Sequence, residues 1–495
     1  MFRTVRAFFR LFVIARTLAR HDALALVEEQ GIAKPIVHAA RVLSGRRQPG
    51  RAGEKLARAF TDLGPSFIKL GQFISTRADL VGETMATDLA ELQDHLPPFE
   101  TATARAIIAE ELGESVENLF SRFDDVPRSA ASIAQVHMAT TTEGTPVAVK
   151  VLRPGIERAF ERDLSLFYWL AAMAERAGPR LRRLKPTQLV ALFESQVKVE
   201  MDFSLEAAGA DELAENFAGD PSYNVPTVDW TRTARRVFTA GAISGIRIDD
   251  REGLIAAGHD LDVVLEKAAA IFFKQVFRDG YFHGDQHPGN MFIDAGGNVV
   301  AVDFGIMGRL DRRTRYFLAD MLLALLDRDY HRLARVFVAA GYLPQPDGIH
   351  TSLEVFAQSL RAIGEPVFGR PLHEISFAKL LGQTFRLSES FEMEVQPQLL
   401  LLQKNMMMAE GVSRSLNPML NTWKLAEPLI EDWMRENRGP EARIRDTARD
   451  WLTIAGRLPE TLGRVETLVR EMEKGGLRLN AGNGGSGANG WLKLA

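Results

Sequence analysis

Two aspartates and an asparagine stand at a spacing suited to phosphoryl transfer in His283-Gly284-Asp285-Gln286-His287-Pro288-Gly289-Asn290 and the later Asp303-Phe304-Gly305. That reaction needs hard oxygen ligands for Mg²⁺ and a carboxylate that orients the attacking group in line. Asn290 and Asp303 suit the metal, and Asp285 suits the orienting role. Between Asn290 and Asp303 lie two short apolar strands joined by a Gly296-Gly297 turn, a hairpin that returns the second ligand beside the first. Each motif alone is weak, whereas the two joined across a hairpin are specific. His283 and His287 have no third histidine at zinc spacing and are expected to pack the loop.

A cation for the α- and β-phosphates is offered by Lys150 on the strand Val147-Ala148-Val149-Lys150. Upstream, Ser129-Ala130-Ala131-Ser132-Ile133-Ala134-Gln135-Val136 stands where a phosphate-covering loop is required. Alanine and serine replace the usual glycines, which keeps backbone N–H groups for phosphate on a stiffer loop. Ala130, Ala131, Ser132, Ile133, Ala134, Val136, Ala148 and Lys150 are therefore the expected nucleotide-binding residues. Neither the dinucleotide Gly-x-Gly-x-x-Gly nor the P-loop pattern is present, so a nicotinamide oxidoreductase and a P-loop enzyme are unsupported.

The elements that position these residues alternate in texture. Helical periodicity over Gly64–Leu96 ends at Pro97-Pro98, and a second helix follows over Ala102–Leu112. Residues 124–151 read as an antiparallel hairpin turning at Glu143-Gly144-Thr145-Pro146. Helices return over Pro154–Arg176 and Thr187–Asn216, then Val225–Val228 and Arg236–Thr239 read as two more strands. Beyond residue 240 the chain is mostly helical, and the stripe Leu399–Met408 reads as a buried core helix, with lipid contact as its alternative. Gly482–Gly490 is linker-like.

The 495 residues carry 60 Lys+Arg against 64 Asp+Glu, 46% hydrophobic and 25% charged residues, which fits an ordinary globular chain and argues against binding nucleic acid by bulk charge. Cysteine is absent, which removes disulfides, thiolate catalysis and iron–sulfur clusters. No apolar run approaches the roughly 18 residues of a spanning helix. Residues 1–60 hold twelve Lys/Arg against four Asp/Glu, and Arg3, Arg6 and Arg10 share a helical face. Such a helix either lies on an anionic surface or packs on its own domain.

With Lys69-Leu70-Gly71-Gln72, the Ala-rich loop and Glu200-Met201-Asp202 added to the shared motifs, roughly residues 30–420 resemble the UbiB-type atypical kinases. That family includes the ADCK and mitochondrial coenzyme Q kinase-like proteins. The resemblance implies an α+β, protein-kinase-like bilobal fold with an N-terminal helical extension and a mostly helical C-lobe. It divides the chain into a basic segment over 1–60, the Lys-x-Gly-Gln extension over 61–123, an N-lobe over 124–243, a C-lobe over 244–475 and a flexible tail over 476–495.

It also implies that Glu206, four residues past Asp202 on the same helix, is the ion-pair partner of Lys150, and that the helix of Lys69 and Gln72 folds over the active site, where Lys69 can meet Glu200, Asp202 and the nucleotide phosphates. The implied cofactors are ATP and Mg²⁺. The implied activity is ATP hydrolysis, or phosphorylation of a small molecule or lipid, in ubiquinone biosynthesis. The implied place is peripheral, on the cytoplasmic face of the inner membrane, with a membrane lipid, a polyprenyl phenol or quinone precursor, or ubiquinone-biosynthesis proteins as partners. Two alternatives stand beside it: a small-molecule phosphotransferase of the aminoglycoside or choline kinase type, and a nucleotide-gated lipid-binding scaffold with incidental turnover.

Overall fold

The computed structural model describes residues 2–23, 49–75, 77, 81–90, 92, 96–177, 182, 185–341, 353–368, 376, 380–384, 397–419 and 422–438. The chain divides into a unit Met1–Ile430 and a second unit Glu431–Ala495. Every candidate site residue belongs to the first. The expected linker over 482–490 and the C-lobe beyond 438 lie outside the described residues.

Among the described residues the chain opens with α1 (Phe2–Arg20), α2 (Ala52–Leu63), α3 (Pro65–Ser75) and α4 (Glu83–Ala90). The continuous helix expected over 64–96 is broken at Arg77 and Gly82, which are not helical. Ile14, Ala15 and Ala19 of α1 are buried. Arg10 grips Asp163 with two N–H···O bonds of 2.9 Å, donates to the Leu63 carbonyl and covers the Phe67 ring. Burial opposes charge on Asp163, but Arg162 and Arg10 outweigh it and hold its pKa below the usual range. Arg10 is therefore turned into its own domain, not onto a membrane-facing stripe; the side chains of Arg3 and Arg6 lie outside the described residues. No helix among the described residues is long and apolar enough to cross a membrane.

Next come α5 (Thr101–Leu112), α6 (Val116–Leu119), β1 (Phe120–Phe123), β2 (Ser129–Ala130), β3 (Ala134–Thr141), β4 (Pro146–Leu152), α7 (Ile156–Ala177), α8 (Pro186–Glu200), α9 (Phe203–Asn216), β5 (Tyr223–Asn224) and β6 (Val237–Gly241). An antiparallel sheet runs β1-β3-β4-β6, with β2 paired to β3. It starts at Phe120, ahead of the boundary placed at 124. Side chains alternate across a strand, so Val147, Val149 and Val151 are buried in one cluster with Ala104, Ile107 and Ile108 of α5, while Ala148 and Lys150 occupy the opposite, half-buried face.

Two expectations are corrected here. Residues 225–228 form no strand: only Val228 bridges Ala240, and Pro226 has no N–H for a ladder. The helix expected over 187–216 is two helices, because the chain breaks at Met201-Asp202 and the Asp202 carboxylate accepts from Ser204 N at 3.1 Å as the N-cap of α9.

The rest of this unit holds β7 (Ile246–Arg247), α10 (Arg251–Ala256), α11 (Leu261–Phe273) running into a π-helical turn at Lys274–Asp279, β8 (Tyr281–His283), β9 (Met291–Ile293), β10 (Val299–Ala301), β11 (Met307–Arg309), α12 (Arg312–Leu326), α13 (Tyr330–Ala340), α14 (Leu353–Phe368) and α15 (Pro397–Leu416). Strands β9 and β10 form the expected hairpin, with Met291 opposite Ala301, and β8 pairs with β11, with His283 opposite Met307. Leu399, Leu402 and Met406 are buried, so α15 is a core helix with Met407 on its exposed side.

Candidate active site

Strand register decides where Lys150 points. It stands opposite Val136 of β3 and Phe238 of β6, on the sheet face away from α5. Its ammonium meets both carboxylate oxygens of Glu206 at 2.9 Å and Asp303 Oδ1 at 3.1 Å, above the Phe203 ring. Burial disfavours the charge on Lys150, but Asp303 and Glu206 outweigh it and raise its pKa. Burial pushes Glu206 the other way, above the usual carboxylate range, despite Lys150. Lys150 holds Asp303 down to about 2, with Lys69 adding to the effect.

Asp303 has φ 62, a left-handed conformation that Asp tolerates better than most residues. Its side chain is 52% exposed and that of Glu206 only 3%. The ammonium thus has one buried partner and one that faces solvent. An incoming phosphate can compete with the second while the first stays in place.

The loop after β8 is built on hydrogen bonds. Asp285 N donates to His283 Nδ1 at 3.0 Å, so the other ring nitrogen carries the proton that goes to Val302 O at 3.1 Å. Burial depresses the His283 pKa and keeps the ring neutral. His287 Nδ1 accepts from Gly289 N. Both histidines are loop braces. Asn290 donates its amide nitrogen to Asp285 O at 3.2 Å, which leaves the amide oxygen as the end that can meet a cation.

Among the described residues there is no cluster of three or more His, Asp or Glu side chains fit for a metal. The donors here are one carboxylate and one amide, Asp303 and Asn290. That set fits Mg²⁺, which keeps waters and phosphate oxygens in most of its positions.

The Ala-rich loop is part of a hairpin, with Ser129 opposite Val136 and Ala130 opposite Gln135. Ala131 N donates to Ala134 O at 2.7 Å, and Arg153 N donates to Ile133 O at 2.7 Å. The Arg153 guanidinium ties Ala131 O to Pro97 O at 3.1 and 3.0 Å. Ser132, Ile133 and Ala134 are buried, while Ala131, Val136 and Ala148 are half-buried.

From the extension, Lys69 Nζ reaches Glu200 Oε2 at 2.8 Å, both side chains being largely buried. A Cβ on Gly71 would clash with Leu92 Cδ1 and lie 2.8 Å from Phe60 Cδ2, so only glycine lets α3 pack this closely. Glu200 and Asp202 have separate tasks, the first pairing with Lys69 and the second capping the helix of Glu206. Gln72 is half-buried, and its side-chain amide makes no hydrogen bond among the described residues.

Three residues enter without warning from the motifs. Gln275, fully buried in the π-helical turn, accepts from His283 N and Gln286 Nε2. Lys404 Nζ lies 2.9 Å from Asp285 Oδ1, and Asn405 accepts from Gln286 N and donates to His283 O. The available signal was the polar Gln403-Lys404-Asn405 set within the apolar run 399–408.

Residues 91–337 match the family model of the ABC1 atypical kinase-like domain, and residues 360–421 match that of the UbiB helical domain. The probable protein kinase UbiB of Marinobacter nauticus is 42% identical over 415 residues, which cover 82% of this chain and 75% of the relative. Its counterpart in Xylella fastidiosa is 37% identical over 482 residues, covering 95% and 86%. A solved complex of Rv3197 with erythromycin, from Mycobacterium tuberculosis, has TM-score 0.45 and 22% identity over 78% of this chain and 99% of that one.

Proposed function

The chain belongs to the ABC1/UbiB family of atypical kinases, and from that premise we propose that it binds ATP with Mg²⁺ beside Lys150 and transfers the γ-phosphoryl group to water, a small molecule or a lipid. The observation that carries this is the Lys150 ammonium held between buried Glu206 and exposed Asp303.

Lys150 holds the α- and β-phosphates while Glu206 fixes its direction. The backbone of Ala130–Ala134 covers the phosphates, and Val136 and Ala148 line the nucleotide. Asp303 and Asn290 are the protein's metal ligands; Mg²⁺, when bound, neutralises charge on the phosphate oxygens. Asp285 orients the acceptor. As the acceptor oxygen bonds to the γ-phosphorus, the β,γ-bridging P–O bond breaks, ADP leaves with the bridging oxygen, and Asp285 takes the acceptor's proton. Lys69 and its partner Glu200 close the site on the extension's side, which favours a small or lipid acceptor.

The relatives' name, UbiB, supports a role in or over ubiquinone biosynthesis. We place that role peripherally, on the cytoplasmic face of the inner membrane, with a polyprenyl phenol or quinone precursor, a membrane lipid or ubiquinone-biosynthesis proteins as partners. The test is Mg²⁺-dependent ATP hydrolysis by the purified chain, with and without anionic liposomes carrying a phenolic quinone precursor, beside Asp303→Asn. Hydrolysis that rises with liposomes and vanishes in the variant is expected. Tight nucleotide binding without turnover in every condition would refute the enzyme reading and favour a nucleotide-gated scaffold.

A further inference from the structure

Asp285 has a cationic partner that comes from 119 residues downstream, Lys404 on α15. The ammonium is 2.9 Å from Oδ1, and the two side chains are 28% and 29% exposed. They border solvent and are not locked in the core. The next residue, Asn405, is fully buried and holds the same loop at two further points: its Nδ2 donates to His283 O at 2.7 Å, and its Oδ1 accepts from Gln286 N at 3.2 Å. Three of the four residues 283–286 are thus gripped by two adjacent residues of one helix. An isolated, partly exposed ion pair contributes little to stability and seldom holds one geometry. Here Asn405 fixes the helix to the loop, so Lys404 arrives at Asp285 from a fixed base.

We propose that Lys404 is a positioning residue for Asp285, and that α15 is thereby a working part of the active site. The ammonium engages Oδ1 and leaves Oδ2 to face an incoming hydroxyl or water. One of its three N–H donors goes to Asp285, and the remaining two keep positive charge where the transferred group must pass. Nucleotide affinity, by contrast, rests on Lys150 and the Ala-rich loop. The inference rests on the phosphoryl-transfer reading above and adds that the cation beside the orienting carboxylate is supplied by the helical segment over 397–416.

The experiment compares Lys404→Met, Lys404→Arg and wild type as full chains, measuring kcat for Mg²⁺-dependent ATP hydrolysis and, separately, Kd for a fluorescent ATP analogue. Arg414→Gln, on the same helix and away from the loop, controls for helix disturbance. Lys404→Met is expected to lower kcat about tenfold or more, since misplacing a reacting group by an ångström is that costly, with Kd within twofold of wild type. Lys404→Arg regains part of the loss, and Arg414→Gln behaves as wild type.

Unchanged kcat in Lys404→Met overturns the assignment, as does a parallel loss of nucleotide affinity in both Lys404 variants. Should Lys404→Met fail to fold, Lys404→Gln, which keeps a donor without the charge, is read by the same two criteria. A wild-type chain that binds the analogue without turnover refutes the phosphoryl-transfer reading, and this inference with it. Turnover by wild type beside an unaltered Lys404→Met refutes this inference alone.

Discussion

Lys150 and Glu206 form a two-pronged ion pair, with Nζ 2.9 Å from each carboxylate oxygen, and the glutamate is the buried member. Breaking a buried pair from one side leaves the other charge uncompensated, at a cost of roughly 3 kcal/mol. Lys150→Met should therefore both abolish nucleotide binding and lower stability by about that amount in denaturant melts. Glu206→Gln should cost less stability, because Asp303 still pairs with Lys150 at 3.1 Å, yet weaken nucleotide binding about tenfold as Lys150 loses its fixed direction. Calorimetric titration with a non-hydrolysable ATP analogue checks both; wild-type affinity in Glu206→Gln would show that Asp303 alone orients the lysine.

The low pKa of Asp303 makes a prediction about acid. Lys150 holds it at about 2, below its ordinary value of 3.8, so the folded state binds this proton less readily than the unfolded chain. A depressed carboxylate contributes stability above its unfolded pKa and loses it as pH falls through the folded one. Thermal melts of wild type and Asp303→Asn should therefore differ most above about pH 4 and converge towards pH 2. A gap that stays constant across this window would mean that Asp303 is not held by Lys150 in solution.

Lys69 and Glu200 make a largely buried pair 2.8 Å apart. Lys69→Ala should cost roughly 3 kcal/mol by leaving Glu200 buried and uncompensated. Adding Glu200→Gln should restore part of that loss, so the cycle reports a coupling of 1 kcal/mol or more at the order-of-magnitude level. Hydrolysis should fall in Lys69→Ala, whereas a phosphotransferase of the aminoglycoside or choline kinase type would keep it. Additive stability losses would return the pair to the rank of an ordinary surface contact.

What was legible in the sequence was the placement of side chains tied to local order. Asp285, Asn290 and Asp303 are set by one hairpin, and Lys150 by strand alternation, so their spacing is visible in the chain itself. The break between α8 and α9 was not: Glu200-Met201-Asp202 sits inside an apolar helical period, and only the cap at Ser204 N reveals that Asp202 ends one element and begins the next. Lys404 and Asn405 were hidden for a different reason. Their meaning depends on a long-range contact between α15 and the loop at 283–286, which no local period encodes. Arg10 shows the converse, where a basic stripe open to either an anionic surface or its own domain carries a buried partner, Asp163.

Arg153 offers the sharpest test of how the Ala-rich loop is held. Its guanidinium links Ala131 O on the loop to Pro97 O on the strap ahead of α5, and Gln135 from β3 adds a second tie by accepting from Phe99 N at 2.9 Å. The loop has alanines in place of glycines, so its stiffness comes partly from its residues and partly from this brace. Removing the guanidinium leaves the Arg153 N to Ile133 O bond intact, and a partly exposed hydrogen-bonding side chain contributes only about 1 kcal/mol. Arg153→Ala should thus fold almost as well as wild type, while its KM for nucleotide rises severalfold and kcat changes less. Hydrogen exchange over 129–134 should quicken in the same variant, with protection of β4 retained. If KM holds while exchange quickens, the loop's order does not limit nucleotide binding; if neither moves, the two hydrogen bonds of the brace are not maintained in solution.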